Sequence, residues 1–279
     1  KKIILLAGPT ASGKSKLAIN LAEKLNGEII NADSMQIYKE FSILSSRPTE
    51  FETKKIKHHI YGTISVKKHF SAGDWFKEAK KKIDICLKKK KIPIIVGGTG
   101  LYFNTITKGI SKIPKIDFKT RSKVRKLYSK LGFRKFYKKL IQLDPKVKNK
   151  ILPTDSQRAQ RAFEVKLKTK KSLYEWIAKT KSEFSDFNIK KIFINIPRED
   201  LLQKISERTD FMISQNCISE VVKFNKLKIN KSLSANKLIG VQEINRYLRG
   251  TITLKECRDL INIKTRQYAK RQNTWARGH

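Results

Sequence analysis

Hydrophobic residues along this chain follow two different rhythms. In the first 110 residues, and again from residue 189, short apolar runs alternate with amphipathic stretches, whereas between them apolar residues recur only at helical spacing in a lysine-rich background. Ile3 to Ala7 is an apolar run of strand length, and Leu17, Ala18, Leu21, Ala22 and Leu25 then repeat on one helical face until Asn26-Gly27 ends the pattern. Glu28 to Ala32 predicts a second strand. Ser71 to Asp74 opens a helix with Trp75, Phe76, Ala79, Ile83, Cys86 and Leu87 on one face, and the lysines at 88 to 91 suit the negative end of its dipole. Ile92 to Val96 reads as a parallel strand covered on both faces. The stretch from 41 to 68 is irregular, with a strand expected around Ile60 to Val66.

From Ser111 the chain turns polar and helical. Apolar faces run through Val124, Leu127 and Leu131, then through Phe133, Phe136, Tyr137, Leu140 and Ile141; Thr154-Asp155 caps a helix carrying Gln157, Arg158 and Arg161, and Ser172 with Glu175 forms a capping box for the next. Lys191 to Ile196 then resumes the sheet, Pro197 closes that strand, and helices fill most of the rest. The reading is an α/β fold, a parallel sheet flanked by helices over 1–111 and 189–279, interrupted by a mostly helical, basic insertion domain over 112–188.

The first strand and helix are joined by Gly8-Pro9-Thr10-Ala11-Ser12-Gly13-Lys14-Ser15. A G-x-x-x-x-G-K-S run in that context is a phosphate-binding loop (P-loop): its glycines let successive N–H groups turn inward around an anion at a helix N-terminus. Lys14 adds a mobile cation, and the Ser15 hydroxyl suits Mg²⁺. Asp33, just past the second strand, would project toward the loop, since ligands in parallel sheets sit beyond the carboxyl ends of strands. The strand at 92 to 96 ends in Gly97-Gly98-Thr99-Gly100, where an ordinary P-loop ATPase places its metal carboxylate. Either Asp33 has taken over that duty, or the protein is not a nucleotide hydrolase.

Composition narrows the partners. The net charge of +39 points to a polyanion such as nucleic acid, although 49 lysines against 14 arginines is also how drift in an AT-rich genome looks. Residues 112 to 185 carry 23 basic and 6 acidic side chains, +17 in 74 residues, about twice the density elsewhere, which uniform drift does not explain. No apolar run approaches the roughly 20 residues of a membrane span, and the run after Lys1-Lys2 is too short for a signal peptide, so a cytoplasmic location is expected. Cys86, Cys217 and Cys257 are isolated, and His58-His59 has no cysteine or carboxylate at ligand spacing, so the pair reads as structural. The segment from Arg266 to Trp275 interleaves basic and aromatic residues, as both a nucleic-acid surface and an amphipathic helix would.

Five motifs in this order give the chain a resemblance to the tRNA dimethylallyltransferases, also called tRNA isopentenyltransferases: the loop from Gly8 to Ser15, Asn31 to Tyr38, Gly97 to Tyr102, Gln157 to Arg161, and Thr265 to Gln272. The resemblance covers nearly the whole length. It implies that Gly8, Pro9, Thr10, Ala11, Ser12, Gly13, Lys14 and Ser15 hold the diphosphate of dimethylallyl diphosphate, with Mg²⁺ on Ser15. The prenyl group would go to the exocyclic amine of the adenine 3′ of the anticodon, giving isopentenyladenosine. By the same likeness Asp33 is the general base, Thr10, Lys14 and Arg208 attend the leaving diphosphate, and Asp33, Ser34, Met35, Gln36, Thr99, Arg121, Gln157, Arg158, Ala159, Gln160 and Arg161 meet the anticodon stem-loop of tRNA. A monomer is expected. Two places depart from the family's pattern: Leu44-Ser45-Ser46-Arg47-Pro48 stands where Gly-Thr-Ala-Lys-Pro is common, and Tyr61-Gly62 follows the histidines.

The main alternative is a small-molecule or nucleotide kinase, which shares the loop and core but has no use for a basic insertion. An adenylate prenyltransferase is disfavoured on the same ground. A non-catalytic RNA-binding protein is disfavoured by Asp33 and the intact Lys14-Ser15.

Overall fold

The apolar runs become five strands of one parallel sheet. β1 (Lys2–Ala7), β2 (Gly27–Asn31), β3 (His58–His59), β4 (Ile92–Gly97) and β5 (Asn188–Phe193) stand in the order β3-β2-β4-β1-β5 in a computed structural model that describes residues 1–278. The chain forms two units, residues 1–107 with 186 onward, and residues 108–185. In the first unit Ile4 of β1 pairs with Ile94 of β4, and Leu6 with Val96. α1 (Lys14–Lys24) lays Ala18, Ile19 and Ala22 on this centre. α2 (Glu50–Lys55), α3 (Ala72–Lys88) and α4 (Gly100–Thr107) follow, α3 starting at the expected Ser71–Asp74 capping box.

Two strands differ from expectation. Instead of a run over 60 to 66, β3 stops at His59, because Ile60 and Gly62 turn to φ of 65° and 58°, and only Tyr38 and Ile64 bridge beyond it. β5 begins three residues earlier than the alternation of Ile192, Ile194 and Ile196 suggests. Its register is set by β1, with Lys2 opposite Asn188 and Ala7 opposite Phe193, so the strand ends where β1 ends.

The second unit consists of α5 (Phe118–Leu143), α6 (Ser156–Thr169) and α7 (Leu173–Ala178). α5 bends at Gly132, whose φ of 67° divides the two apolar faces read from the sequence. Val124, Phe136, Leu140, Val147, Ile151, Ala162 and Phe163 form its core.

Back in the first unit, β5 leads to α8 (Arg198–Ser214), α9 (Cys217–Lys226), α10 (Val241–Leu248) and α11 (Leu254–Arg277). Leu201 and Ile205 of α8 and Ala269 of α11 pack together with Ala11 of the phosphate loop, which brings both helices to the carboxyl end of the sheet. No helix among the described residues is long and apolar enough to cross a membrane.

Candidate active site

The loop from Gly8 to Ser15 joins β1 to α1. Gly13 is the N-cap residue of α1, at a φ of 82° that a side chain disfavours. Thr10 to Ser15 line a cavity of about 850 Å³. The Ser12 hydroxyl is buried there without a hydrogen-bond partner, an orphan of the kind an anion would satisfy. Lys14 Nζ donates to the carbonyl of Pro9 at 2.6 Å. Burial pulls the Lys14 ammonium down to about 8, an effect that Asp33 opposes and Arg208 reinforces.

Asp33 lines the same cavity, and its backbone is fixed by Asn31. The Asn31 amide accepts from the Asp33 N–H at 2.7 Å and donates to the Asp33 and Ile60 carbonyls, while Trp75 Nε1 donates to the Asn31 carbonyl at 2.7 Å. Asp33 Oδ1 accepts the Met35 N–H at 2.8 Å, and among the described residues no donor engages Oδ2. Ser34 N–H donates to Thr99 Oγ1 at 3.0 Å, tying this turn to the end of β4.

The glycines after β4 now have a steric reason. A Cβ on Gly97 would lie 2.2 Å from the Ala32 carbonyl, and one on Gly98 would lie 1.8 Å from Gln272 Nε2. No carboxylate fits there. Gln272 of α11 fills the space instead: its Oε1 accepts the Thr10 N–H at 2.8 Å and its Nε2 donates to the Gly98 carbonyl at 3.1 Å. Trp275 lies over Gly100 in the same way. The inner face of α11 is thus a brace for the phosphate loop, while Arg266, Lys270 and Arg271 on the same helix stay exposed.

A second cavity of about 210 Å³ adjoins the first. Both are lined by Thr10, Asp33, Ser45 and Arg208; the second adds Met35, Met212, Leu238 and Tyr268. Arg208 spans the shared wall, donating to Thr10 Oγ1 and to the Ser45 carbonyl at 3.5 Å, with its Nε buried and unpaired. Burial lowers its pKa while Asp33 opposes the shift. Burial also raises the Tyr268 phenol, with the Asp33 charge adding to it, so the ring faces the site as a neutral group.

The turn at 42 to 44 needs no glycine. Glu220 of α9 accepts the N–H groups of Ser42, Ile43 and Leu44 at 2.8 to 2.9 Å, and Leu44 is buried against Gly240. Gln36 donates to the Ser45 and Ser46 carbonyls, which makes it a support for this turn.

Away from the cavity, the fold gathers groups that sequence spacing had kept apart. Glu28, His59 and Cys86 place ligand atoms within 4.8 Å of one another. Lys91 holds Glu28 Oε1 at 3.1 Å, and His59 Nε2 meets Oε2 at 2.6 Å. Burial opposes ionisation of Glu28, yet these two partners outweigh it and hold the carboxyl below its usual range. Burial pushes the Cys86 thiol up to about 12. One carboxylate balanced by one ammonium is already neutral and paired, so a divalent ion here would leave an excess buried charge. The cluster pins β3 to β2.

Within the unit 108–185, Gln157 and Arg158 are exposed on α6, Gln160 and Arg161 partly so. Ala159 turns into the core at 2% exposure, a packing position. Arg121 has its Nε buried without a partner. Arg161 is lowered by burial, with Glu164 opposing and Arg121 adding its like charge.

A family model described as IPP transferase matches residues 36–279. The chain is 56% identical over 276 residues to the tRNA dimethylallyltransferase of Pelagibacter ubique, covering 99% of this chain and 88% of that one. With the tRNA dimethylallyltransferase of Rickettsia felis it shares 42% identity, over 99% of this chain and 89% of the relative. Among solved structures it resembles a eukaryotic dimethylallyltransferase acting on tRNA, with a TM-score of 0.85, 30% identity, and coverage of 99% of this chain and 69% of that one. The tRNA isopentenylpyrophosphate transferase of Bacillus halodurans matches at a TM-score of 0.70 and 31% identity, covering 100% of this chain and 87% of its own.

Proposed function

The chain belongs to the IPP transferase family, and from that premise we propose that it transfers a dimethylallyl group from dimethylallyl diphosphate to the exocyclic amine of an adenosine in tRNA, the one 3′ of the anticodon. The observation that carries this reading is the pair of cavities meeting at Thr10, Asp33, Ser45 and Arg208. A phosphate loop on one side suits the donor's diphosphate. Apolar and aromatic walls on the other suit a base extruded from its stack.

In the reaction the amine nitrogen bonds to the allylic carbon, and the carbon–oxygen bond to the diphosphate breaks with its electron pair leaving on oxygen. Thr10, Lys14, Arg208 and the loop N–H groups stabilise the charge that collects on the diphosphate. Asp33 Oδ2 takes the proton that the amine loses, the residue being held by the bond its N–H donates to Asn31 and the bond its Oδ1 accepts from the Met35 N–H. Tyr268 gives the base a flat neighbour. The Ser15 hydroxyl is a hard oxygen donor on the same cavity, and together with phosphate oxygens it suits Mg²⁺. Bound there, the ion would neutralise part of the leaving group's charge.

Phosphate contacts from the basic 108–185 unit, with Arg121, Arg158 and Arg161 foremost, hold the anticodon stem-loop. We place the protein in the cytoplasm, where tRNA is modified, as a monomer. The test is incubation with undermodified tRNA, labelled dimethylallyl diphosphate and Mg²⁺, followed by nucleoside analysis. Label in isopentenyladenosine supports the reading; phosphoryl transfer from ATP to a small acceptor, with no labelled nucleoside, favours the kinase instead.

A further inference from the structure

The two departures from the family's pattern, Arg47 and Gly62, touch one another. A Cβ on Gly62 would stand 1.8 Å from Arg47 Nη1, 2.6 Å from Cζ and 3.3 Å from Nε, so the guanidinium lies against the bare glycine backbone and has room only because residue 62 lacks a side chain. Gly62 also sits at a φ of 58°, in the left-handed region. The preceding Ser46, at a φ of 49°, makes the sharp turn that presents Arg47 to the cavity of the phosphate loop.

How the guanidinium is held leaves much of it free. Nη1 donates to the Tyr38 carbonyl at 3.0 Å and leans on the Lys39 carbonyl at 3.4 Å, while Nη2 and Nε have no hydrogen-bond partner among the described residues. Three acids share the cavity wall, Asp33, Glu50 and Glu207, yet among the described residues no carboxylate lies within ion-pair range of Arg47. Burial lowers its pKa, with Glu220 and Glu40 opposing only from a distance. A half-buried guanidinium, fixed at one nitrogen and lacking a counter-ion, is a pre-set fork for an anion with two oxygens to offer.

We propose that Arg47 is a further diphosphate-binding residue of the donor cavity, and that Gly62 is the residue that makes room for it. Nη2 and Nε would donate to phosphate oxygens that the loop does not reach. The inference rests on the reading of this cavity as the diphosphate site, and the experiment separates the two. Calorimetric titration of inorganic diphosphate with Mg²⁺ is performed on the wild type and on Arg47→Met, Arg47→Lys, Gly62→Ala and the Arg47→Met/Gly62→Ala double variant, with thermal melts as a control for folding.

Arg47→Met is expected to weaken binding roughly 10- to 100-fold, the weight of one hydrogen bond between charged groups. Arg47→Lys, which keeps the charge and loses the fork, is expected to fall between it and the wild type. Gly62→Ala should weaken binding by displacing the guanidinium, and should weaken it no further where Arg47 is already Met, the non-additivity that marks two residues acting through one contact. In steady-state assays kcat/KM for the donor should fall by a similar factor. Unchanged diphosphate affinity in Arg47→Met, or in Arg47→Lys should the former not fold, overturns the inference and leaves the loop assignment intact. A full additional loss from Gly62→Ala in the Arg47→Met background overturns the coupling. Absence of diphosphate binding to the wild type overturns the cavity reading itself.

Discussion

Charge is used in opposite ways in the two units of this chain. Around the phosphate loop the charges are few and individually held: Lys14 by the Pro9 carbonyl, Arg208 by Thr10, Asp33 by its Asn31-fixed turn. The unit at 108–185 carries its excess on many exposed lysines, with few ion pairs, such as Lys168 with Asp117 and Lys146 with Glu175. Held charges in a partly dry site act on one bond at a time, whereas solvated charges act as a field that salt screens. The difference teaches that density of charge points to the polyanion, while placement of charge points to the chemistry.

The comparison breaks most sharply at Asp33. Asp33→Asn keeps the turn but removes the proton acceptor, and should cost about 100- to 10,000-fold in single-turnover rate with both substrates still bound. The same rates measured across a Mg²⁺ titration sharpen the assignment: recovery at high metal would transfer Asp33 from base to metal ligand, and a deficit indifferent to metal would keep it as the base.

Lys14 comes next, with a loss of about 100- to 1,000-fold for Lys14→Ala if it stabilises the leaving group as loop donors do elsewhere. It also has a proton signature. Because burial pulls its pKa down to about 8, part of the population carries a neutral amine near that pH, and a bound diphosphate favours the charged form. The Lys14 contribution to diphosphate binding near pH 8 should therefore be proton uptake, and binding should weaken as pH rises further. Calorimetry in two buffers of different ionisation heat reads this uptake, and Lys14→Ala should reduce it.

A smaller effect is expected at the brace. Gln272→Ala frees the Thr10 N–H and the Gly98 carbonyl, at a cost of about 1 to 3 kcal/mol that a melting experiment will read. The donor KM should rise with it, while the tRNA KM stays unchanged. At the far end lies Arg158→Gln on the solvated helix α6. There a few-fold weaker tRNA binding is expected, with the slope of log affinity against log salt reduced by about 0.7 to 0.9; a slope that does not move would remove Arg158 from the phosphate contacts.

Where the sequence is legible, local chemistry and the fold agree. The loop at 8 to 15, the buried β4 and the Ser71 capping box each follow from residues close together in the chain. α2 is missed because none of its residues is buried, so no apolar period announces it; the Thr49 and Glu52 capping box is its only sign. β3 is misplaced because two left-handed residues break an apolar stretch, and β5 because its neighbour sets its length. In the site, Asp33 and Lys14 are legible from position after a strand and before a helix. Gln272, Asn31 and the Arg47–Gly62 contact are not, since each acts through a partner whose place depends on the finished fold. Gln272 and Asn31 do stand inside motifs that the sequence singles out, without a role attached.

The hydrogen bond from Thr10 to Gln272 joins residues 262 positions apart. At about 5 to 20 residues per second on the ribosome, roughly 13 to 52 seconds separate synthesis of the phosphate loop from synthesis of the side chain that braces it. Throughout that interval the nascent loop lacks its lock. The phosphate loop is thereby braced late, after the strands and the helices of the 108–185 unit have been synthesised.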